Sequence, residues 1–144
     1  LYGWFSRKFE HVLVERDRGA AALRRVIRDA RARAAQGRQI VIFPEGTRRP
    51  PTAPPDYKPG VIALYEGLDL PCVPIALNSG LFWPRRSLVR HPGTIVVEIL
   101  EPIPPGQNRS DFKALLEERI ETASRRLYDE AVAANPALAA HVQG

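Results

Sequence analysis

At 144 residues with 44% apolar side chains, the chain can bury one real core and reads as one unit rather than several. No apolar run approaches the roughly 20 residues a bilayer-spanning helix needs, no signal peptide is visible in these residues, and the single cysteine, Cys72, excludes an internal disulfide and reads as a small core residue. The net charge of +5 is uneven, with twelve Lys or Arg against five acids up to Arg49 and nine against eleven beyond it. That asymmetry suits an anionic lipid surface or an acidic substrate, or reflects a solvated arginine-rich helix face. Nucleic acid is set aside because no DNA- or RNA-binding motif accompanies the charge.

The segment from Leu1 to Phe9 interleaves Tyr2, Trp4 and Phe5 with Arg7 and Lys8, a mixture that suits core packing or a membrane interface. His11 to Val14 reads as a short strand, with Arg16 emerging in the charged loop at its carboxyl end. Ala20 to Gln36 reads as a helix, because Leu23, Val26, Ile27, Ala30 and Ala34 recur at helical spacing between arginines, and Gly37 ends it. Ile40-Val41-Ile42 is a continuous apolar run, the pattern of a strand covered on both faces in a parallel sheet. Strand, helix and strand from His11 to Phe43 then form a right-handed βαβ unit that brings Arg16 and Glu45 to one sheet edge.

Directly after that run comes Phe43-Pro44-Glu45-Gly46-Thr47-Arg48. Ligands of such sheets gather beyond the carboxyl ends of strands. Glu45 can accept hydrogen bonds from substrate hydroxyls, and Arg48 offers the planar fork suited to two phosphate oxygens. A phosphorylated polyol satisfies both. A structural ion pair between the two residues, with Gly46 as a plain turn residue, is the alternative.

Arg49 to Pro59 holds five prolines and is expected to be a stiff surface loop, either a connector or a cover for the site. Pro59 to Glu66 is a short helix stopped by Gly67, with Lys58 at its start able to assist anion binding. Cys72 to Leu77 is a second buried strand in which Pro74 marks an end or edge. Leu81, Phe82 and Trp83, near Arg85, Arg86 and Arg90, form an apolar and basic cluster for lipid, for an acyl groove or for the core. Thr94 to Leu100 is a strand. Asp111 to about Ala134 is a last helix capped by Ser110, and Asn135 to Gly144 is an expected frayed tail after a domain covering residues 1–134. No Cys or His cluster has metal-ligand spacing, so neither a metal nor another cofactor is expected.

The Phe43–Arg48 block resembles the F-P-E-G-T-R signature of the glycerophospholipid acyltransferase family. Val12-Leu13-Val14-Glu15-Arg16 resembles the family's second block, with Glu15 where Asp is usual, and Val73-Pro74-Ile75-Ala76-Leu77 resembles its fourth. Tyr57-Lys58-Pro59-Gly60, the run Asn78 to Pro84, and Pro92-Gly93-Thr94 are similar to bacterial lysophosphatidate acyltransferases, so the resemblance covers roughly Leu1 to Leu127. It implies an α/β acyltransferase-like domain with a mostly parallel sheet flanked by helices. It also implies transfer of a fatty acyl group from acyl-ACP or acyl-CoA, as co-substrate, to lysophosphatidic acid. Arg16, Glu45, Gly46, Thr47, Arg48 and Lys58 are the expected acceptor-binding residues: Arg16 and Arg48 for phosphate, Glu45 for the hydroxyl, Gly46 and Thr47 for backbone shape or oxyanion support.

The family's H-x-x-x-x-D block, which supplies the general base, does not occur around His11, His91 or His141. The chain is therefore expected to be an N-terminally truncated acyltransferase, inactive alone, from the cytoplasmic face of a bacterial inner membrane. A noncatalytic phospholipid- or phosphate-binding module, or an enzyme for another lyso-lipid or glycerol 3-phosphate, is the alternative.

Overall fold

The computed structural model describes residues 19–84 and 88–142. The first helix among the described residues, α1 (Gly19–Ala34), forms where the helical spacing of apolar residues places it. Its arginines at 24, 25, 28 and 31 are exposed, while Val26 and Ala30 are buried against Leu64 of α2 (Pro59–Leu68), with Ile27, Ile40 and Leu68 at the margin. Proline at the first position and extended Lys58 before it start α2. Gly67, expected to stop this helix, lies inside it, and the end comes at Leu68 with Asp69 in the left-handed conformation (φ 53°). The reason is packing: a Cβ on Gly67 would lie 2.5 Å from Ile27 Cγ2, so glycine is there to let α1 approach. The Arg31 Nε also donates to the Gly67 carbonyl.

Strands β1 (Ile75–Leu77) and β2 (Val97–Ile99) pair antiparallel, Ile75 opposite Ile99 and Leu77 opposite Val97. The pairing continues through Leu100 N–H to the Pro74 carbonyl (3.0 Å) and a two-way exchange between Cys72 and Ile103 (2.9 and 2.7 Å). Pro74 thus sits just outside an edge strand and contributes only its carbonyl. The mostly parallel sheet expected from the sequence is not found among the described residues, where the one sheet has two antiparallel strands. A parallel link needs a crossover that covers a sheet face. Among the described residues between β1 and β2 the chain forms only the one-turn helix α3 (Ser79–Phe82), and its Leu81 and Phe82 are drawn into a cluster with Leu138 instead.

The sheet is buried on one side only. Ala76 is fully enclosed with Ala123 and Leu127 of α4 (Arg109–Ala134), whereas Ile75, Leu77, Val97 and Ile99 are exposed on the opposite face. Residues 40–43 join no helix or strand ladder among the described residues, and Val41 and Phe43 are 76% and 74% exposed. The doubly covered strand expected there is thus not found among the described residues; a strand exists only with a partner, and the partner expected at residues 11–14 lies outside them.

Helix α4 begins two residues earlier than expected. Asn108, not Ser110, is the cap, its Oδ1 accepting from the Asp111 N–H at 2.9 Å. The main core lies between α2 and α4, where Tyr57, Val61, Ile62, Tyr65, Ile103, Phe112 and Leu116 are buried and the Tyr65 and Phe112 rings stack at 3.7 Å. Cys72 packs at its edge, where burial pushes the thiol pKa up. The expected frayed tail is instead a 3₁₀ helix (Pro136–Val142), because Leu138 finds a buried seat beside Leu81 and Phe82.

Candidate acceptor-binding site

The apolar residues 40–43 deliver the chain into a tight turn in which the Gly46 N–H donates to the Phe43 carbonyl at 3.0 Å. Gly46 has a φ of 66°, a conformation that a side chain disfavours, although the space beside it is open apart from Lys58 Cγ at 3.8 Å from a hypothetical Cβ. Glycine is therefore required here by the backbone and not by crowding. Its N–H is engaged within the turn itself.

The turn places its side chains in different surroundings. Thr47 and Arg48 are exposed, and Arg48 has no hydrogen-bond or ion-pair partner among the described residues. Glu45 and Arg49 are more sheltered, their side chains 24% and 27% exposed, and Arg49 Nε stands 3.6 Å from Glu45 Oε1. The ion pair foreseen as an alternative between Glu45 and Arg48 is thus made by Arg49, which leaves Arg48 open to a ligand.

The proline-rich loop is irregular, with a turn closed by Ala53 N–H to the Pro50 carbonyl, and it returns to the same place. There the Lys58 N–H donates to the Pro44 carbonyl (2.8 Å), the Asp56 N–H donates to Glu45 Oε1 (3.3 Å), and Asp56 Oδ2 takes both Arg49 Nη1 (3.0 Å) and Lys58 Nζ (2.5 Å). Glu45 and Lys58, expected to serve one ligand, are brought together. Arg16 lies outside the described residues, as does Glu15.

Partial burial raises the Glu45 carboxyl above its ordinary range, an effect offset by the Asp56 N–H and by Arg49 and reinforced by Glu121. The Lys58 contact holds Asp56 below its ordinary range, with Arg49 adding to it. Behind the loop, buried Tyr57 donates to Glu121 Oε1 of α4 at 2.9 Å, and burial followed by the Glu121 charge pushes the phenol pKa far up. Arg49, Asp56 and Glu121 were not singled out in the sequence. Only the juxtaposition of two arginines after Glu45 hints at Arg49, and nothing local hints at the others.

The aromatic and basic cluster near α3 divides. Leu81 and Phe82 are core residues, whereas Trp83 is 48% exposed with the Arg90 guanidinium 4.1 Å over its ring; Arg85 and Arg86 lie outside the described residues. An open cleft of about 330 Å³ between β2 and α4 is lined by Glu98, Glu101, Glu118, Arg119 and Arg126 among others and holds none of the candidate residues. Among the described residues no helix is long and apolar enough to cross a membrane.

Residues 1–78 match the acyltransferase family model. Over 99 residues the chain is 33% identical to a 1-acyl-sn-glycerol-3-phosphate acyltransferase of Pseudomonas aeruginosa, covering 69% of this chain and 38% of that protein. A protein of the same name from Cocos nucifera is 32% identical over 104 residues, 72% of this chain and 34% of the relative. An uncharacterized acyltransferase of Schizosaccharomyces pombe is 32% identical over 125 residues, 82% of this chain and 44% of the relative. The chain thus spans less than half the length of these relatives, and no solved structure matches it. With its Phe43–Arg48 turn inside the matched region, the chain belongs to the acyltransferase family.

Proposed function

We propose that the chain is part of a 1-acyl-sn-glycerol-3-phosphate O-acyltransferase, in which a fatty acyl group passes from acyl-ACP or acyl-CoA to lysophosphatidic acid to give phosphatidic acid. The observation that carries this reading is the division of labour on the 43–49 turn: a sheltered Glu45 carboxylate beside an exposed Arg48 that has no partner among the described residues. A glycerol phosphate monoester carries the two groups that this pair complements. Its hydroxyl donates to Glu45, and its phosphate accepts from the Arg48 fork, with Lys58 adding charge from the start of α2. Arg16 completes the phosphate contacts in this reading. The names carried by the Pseudomonas aeruginosa and Cocos nucifera relatives support the same acceptor.

The acyl-transfer step requires that the acceptor hydroxyl lose its proton as it attacks the thioester carbonyl, the thiol leaving with the electron pair. The residues described here bind and orient the acceptor for that attack; none of them is assigned the base. A membrane surface is the place where such an acceptor is met, and the exposed Trp83 and the arginine-rich face of α1 suit an anionic one.

Titration of the 144-residue chain with a short-chain lysophosphatidate tests the assignment. Arg48→Ala is expected to weaken binding by about tenfold or more, the loss of a charge-assisted phosphate contact. Unchanged affinity would remove Arg48 from the site and the acceptor reading with it.

A further inference from the structure

Arg49 is the one side chain of the turn that faces inward to two carboxylates. Its Nε stands 3.6 Å from Glu45 Oε1 and its Nη1 3.0 Å from Asp56 Oδ2, while the Asp56 carboxylate also holds Lys58 Nζ and the Asp56 N–H reaches back to Glu45. Spanning two acceptors from fixed directions suits the planar guanidinium, which presents several donors in one rigid fork; an ammonium is a compact point charge whose three donors rotate on a flexible stem. The chain between the two ends of this bridge carries Pro50, Pro51, Pro54 and Pro55. Those rings restrict the loop before it closes, so that the bridge orders few additional degrees of freedom. Arg49 and Glu45 are the more sheltered members, whereas the Asp56 and Lys58 side chains are 47% and 52% exposed. The inner contact is therefore the less screened, and the outer one is open to whatever Lys58 meets.

We propose that Arg49 is a positioning residue of the acceptor site: it ties Glu45 to Asp56, and through Asp56 to Lys58, so that the turn and the start of α2 present one joined surface to the glycerol phosphate. The proposal rests on the acceptor reading above and adds to it a separation of roles between neighbouring arginines. Arg48 meets the ligand, and Arg49 meets the protein. The groups that face Glu45 are Arg49, Asp56 and Glu121, with Tyr57 and Lys58 just beyond, so neutralising Arg49 leaves Glu45 among carboxylates with only the Asp56 N–H still favouring its charged form.

The test uses the whole 144-residue chain and two readouts, the carbon-13 titration of the Glu45 carboxyl and the affinity for a short-chain lysophosphatidate. Arg49→Gln keeps a polar side chain without the charge, and Arg49→Lys keeps the charge without the fork. The expected result is an upward shift of the Glu45 midpoint in Arg49→Gln together with about tenfold weaker binding, Arg49→Lys falling between that variant and the wild type in both. Arg48→Ala is expected to weaken binding without moving the midpoint. A Glu45 midpoint unmoved in Arg49→Gln overturns the proposal, whatever the lipid does. A midpoint that moves in a chain whose wild type binds no lysophosphatidate upholds the clamp and refutes the acceptor reading, so the two failures are distinct.

Discussion

Tyr57 donates a 2.9 Å hydrogen bond to Glu121 Oε1, joining the loop that returns to the Glu45 turn to the middle of the longest helix, 64 positions along the chain. Tyr57 is 7% exposed, and its burial, with the Glu121 charge second, keeps the phenol protonated and available as a donor. Tyr57→Phe removes the hydroxyl and leaves Glu121 short of a partner. The expected cost is about 1–2 kcal/mol, read as a lower denaturation midpoint. Because Tyr57 immediately precedes Lys58, weaker lysophosphatidate binding should accompany it.

The turn itself offers a second prediction. Gly46 is held at a φ of 66° with room for a methyl group, so Gly46→Ala isolates the conformational cost from any clash. Forcing a side chain into the left-handed region costs roughly 1–2 kcal/mol. The variant is expected to lose about that much stability in urea and to bind lysophosphatidate less well, since relief of the strain moves Glu45 and Arg48 together.

A third concerns the core that supports α2. Phe112 is fully buried and stacked on Tyr65, whose hydroxyl in turn donates to the Pro104 carbonyl and accepts from the Gln107 N–H. Phe112→Ala is expected to cost about 3–5 kcal/mol through the lost apolar burial and the cavity left behind. Differential scanning calorimetry on the two chains measures it, and a loss below about 1 kcal/mol would mean that the ring is not packed as described.

Glu45 makes stability depend on pH in a definite direction. Its carboxyl pKa is raised above the ordinary 4.5, chiefly by partial burial, so the folded chain holds that proton more tightly than the unfolded one. Its contribution is fully present below the ordinary value and is lost as pH rises through the raised one. Glu45→Gln abolishes this dependence. Denaturant midpoints for the two chains over a pH series should show the wild type losing ground to the variant as pH rises from below 4.5. Asp56 has the opposite sign, its pKa held below 3.8 by Lys58 and Arg49, so its contribution fades only as the solution becomes more acidic.

The helices were legible because their signals are local. The spacing of Leu23, Val26, Ile27 and Ala30 states a helix and its buried side without reference to anything distant. The Glu45 turn was legible for the same reason, with apolar residues, then proline, then glycine. Strand direction was not, because an apolar stretch such as residues 72–77 reads the same whichever way its neighbour runs, and β2 pairs with it antiparallel. Asn78 shows the same limit. In the sequence it is a turn residue, whereas in the fold it is buried and its Oδ1 accepts the Val96 N–H at 2.9 Å, extending the ladder beyond β1. Arg49 escaped notice because its meaning lies in Asp56, reached only once the proline-rich loop has closed, and Leu138 because one apolar residue in an alanine-rich tail carries no periodicity.

The central claim is that the 43–49 turn and Lys58 recognise the phosphate of a monoacylated glycerol phosphate. Its most direct test compares the affinity of the 144-residue chain for a short-chain lysophosphatidate and for the monoacylglycerol of the same chain length, both below their critical micelle concentrations. A preference of about a hundredfold or more for the phosphate ester is predicted, the worth of two charge-assisted contacts. Equal affinity for the two lipids would contradict it.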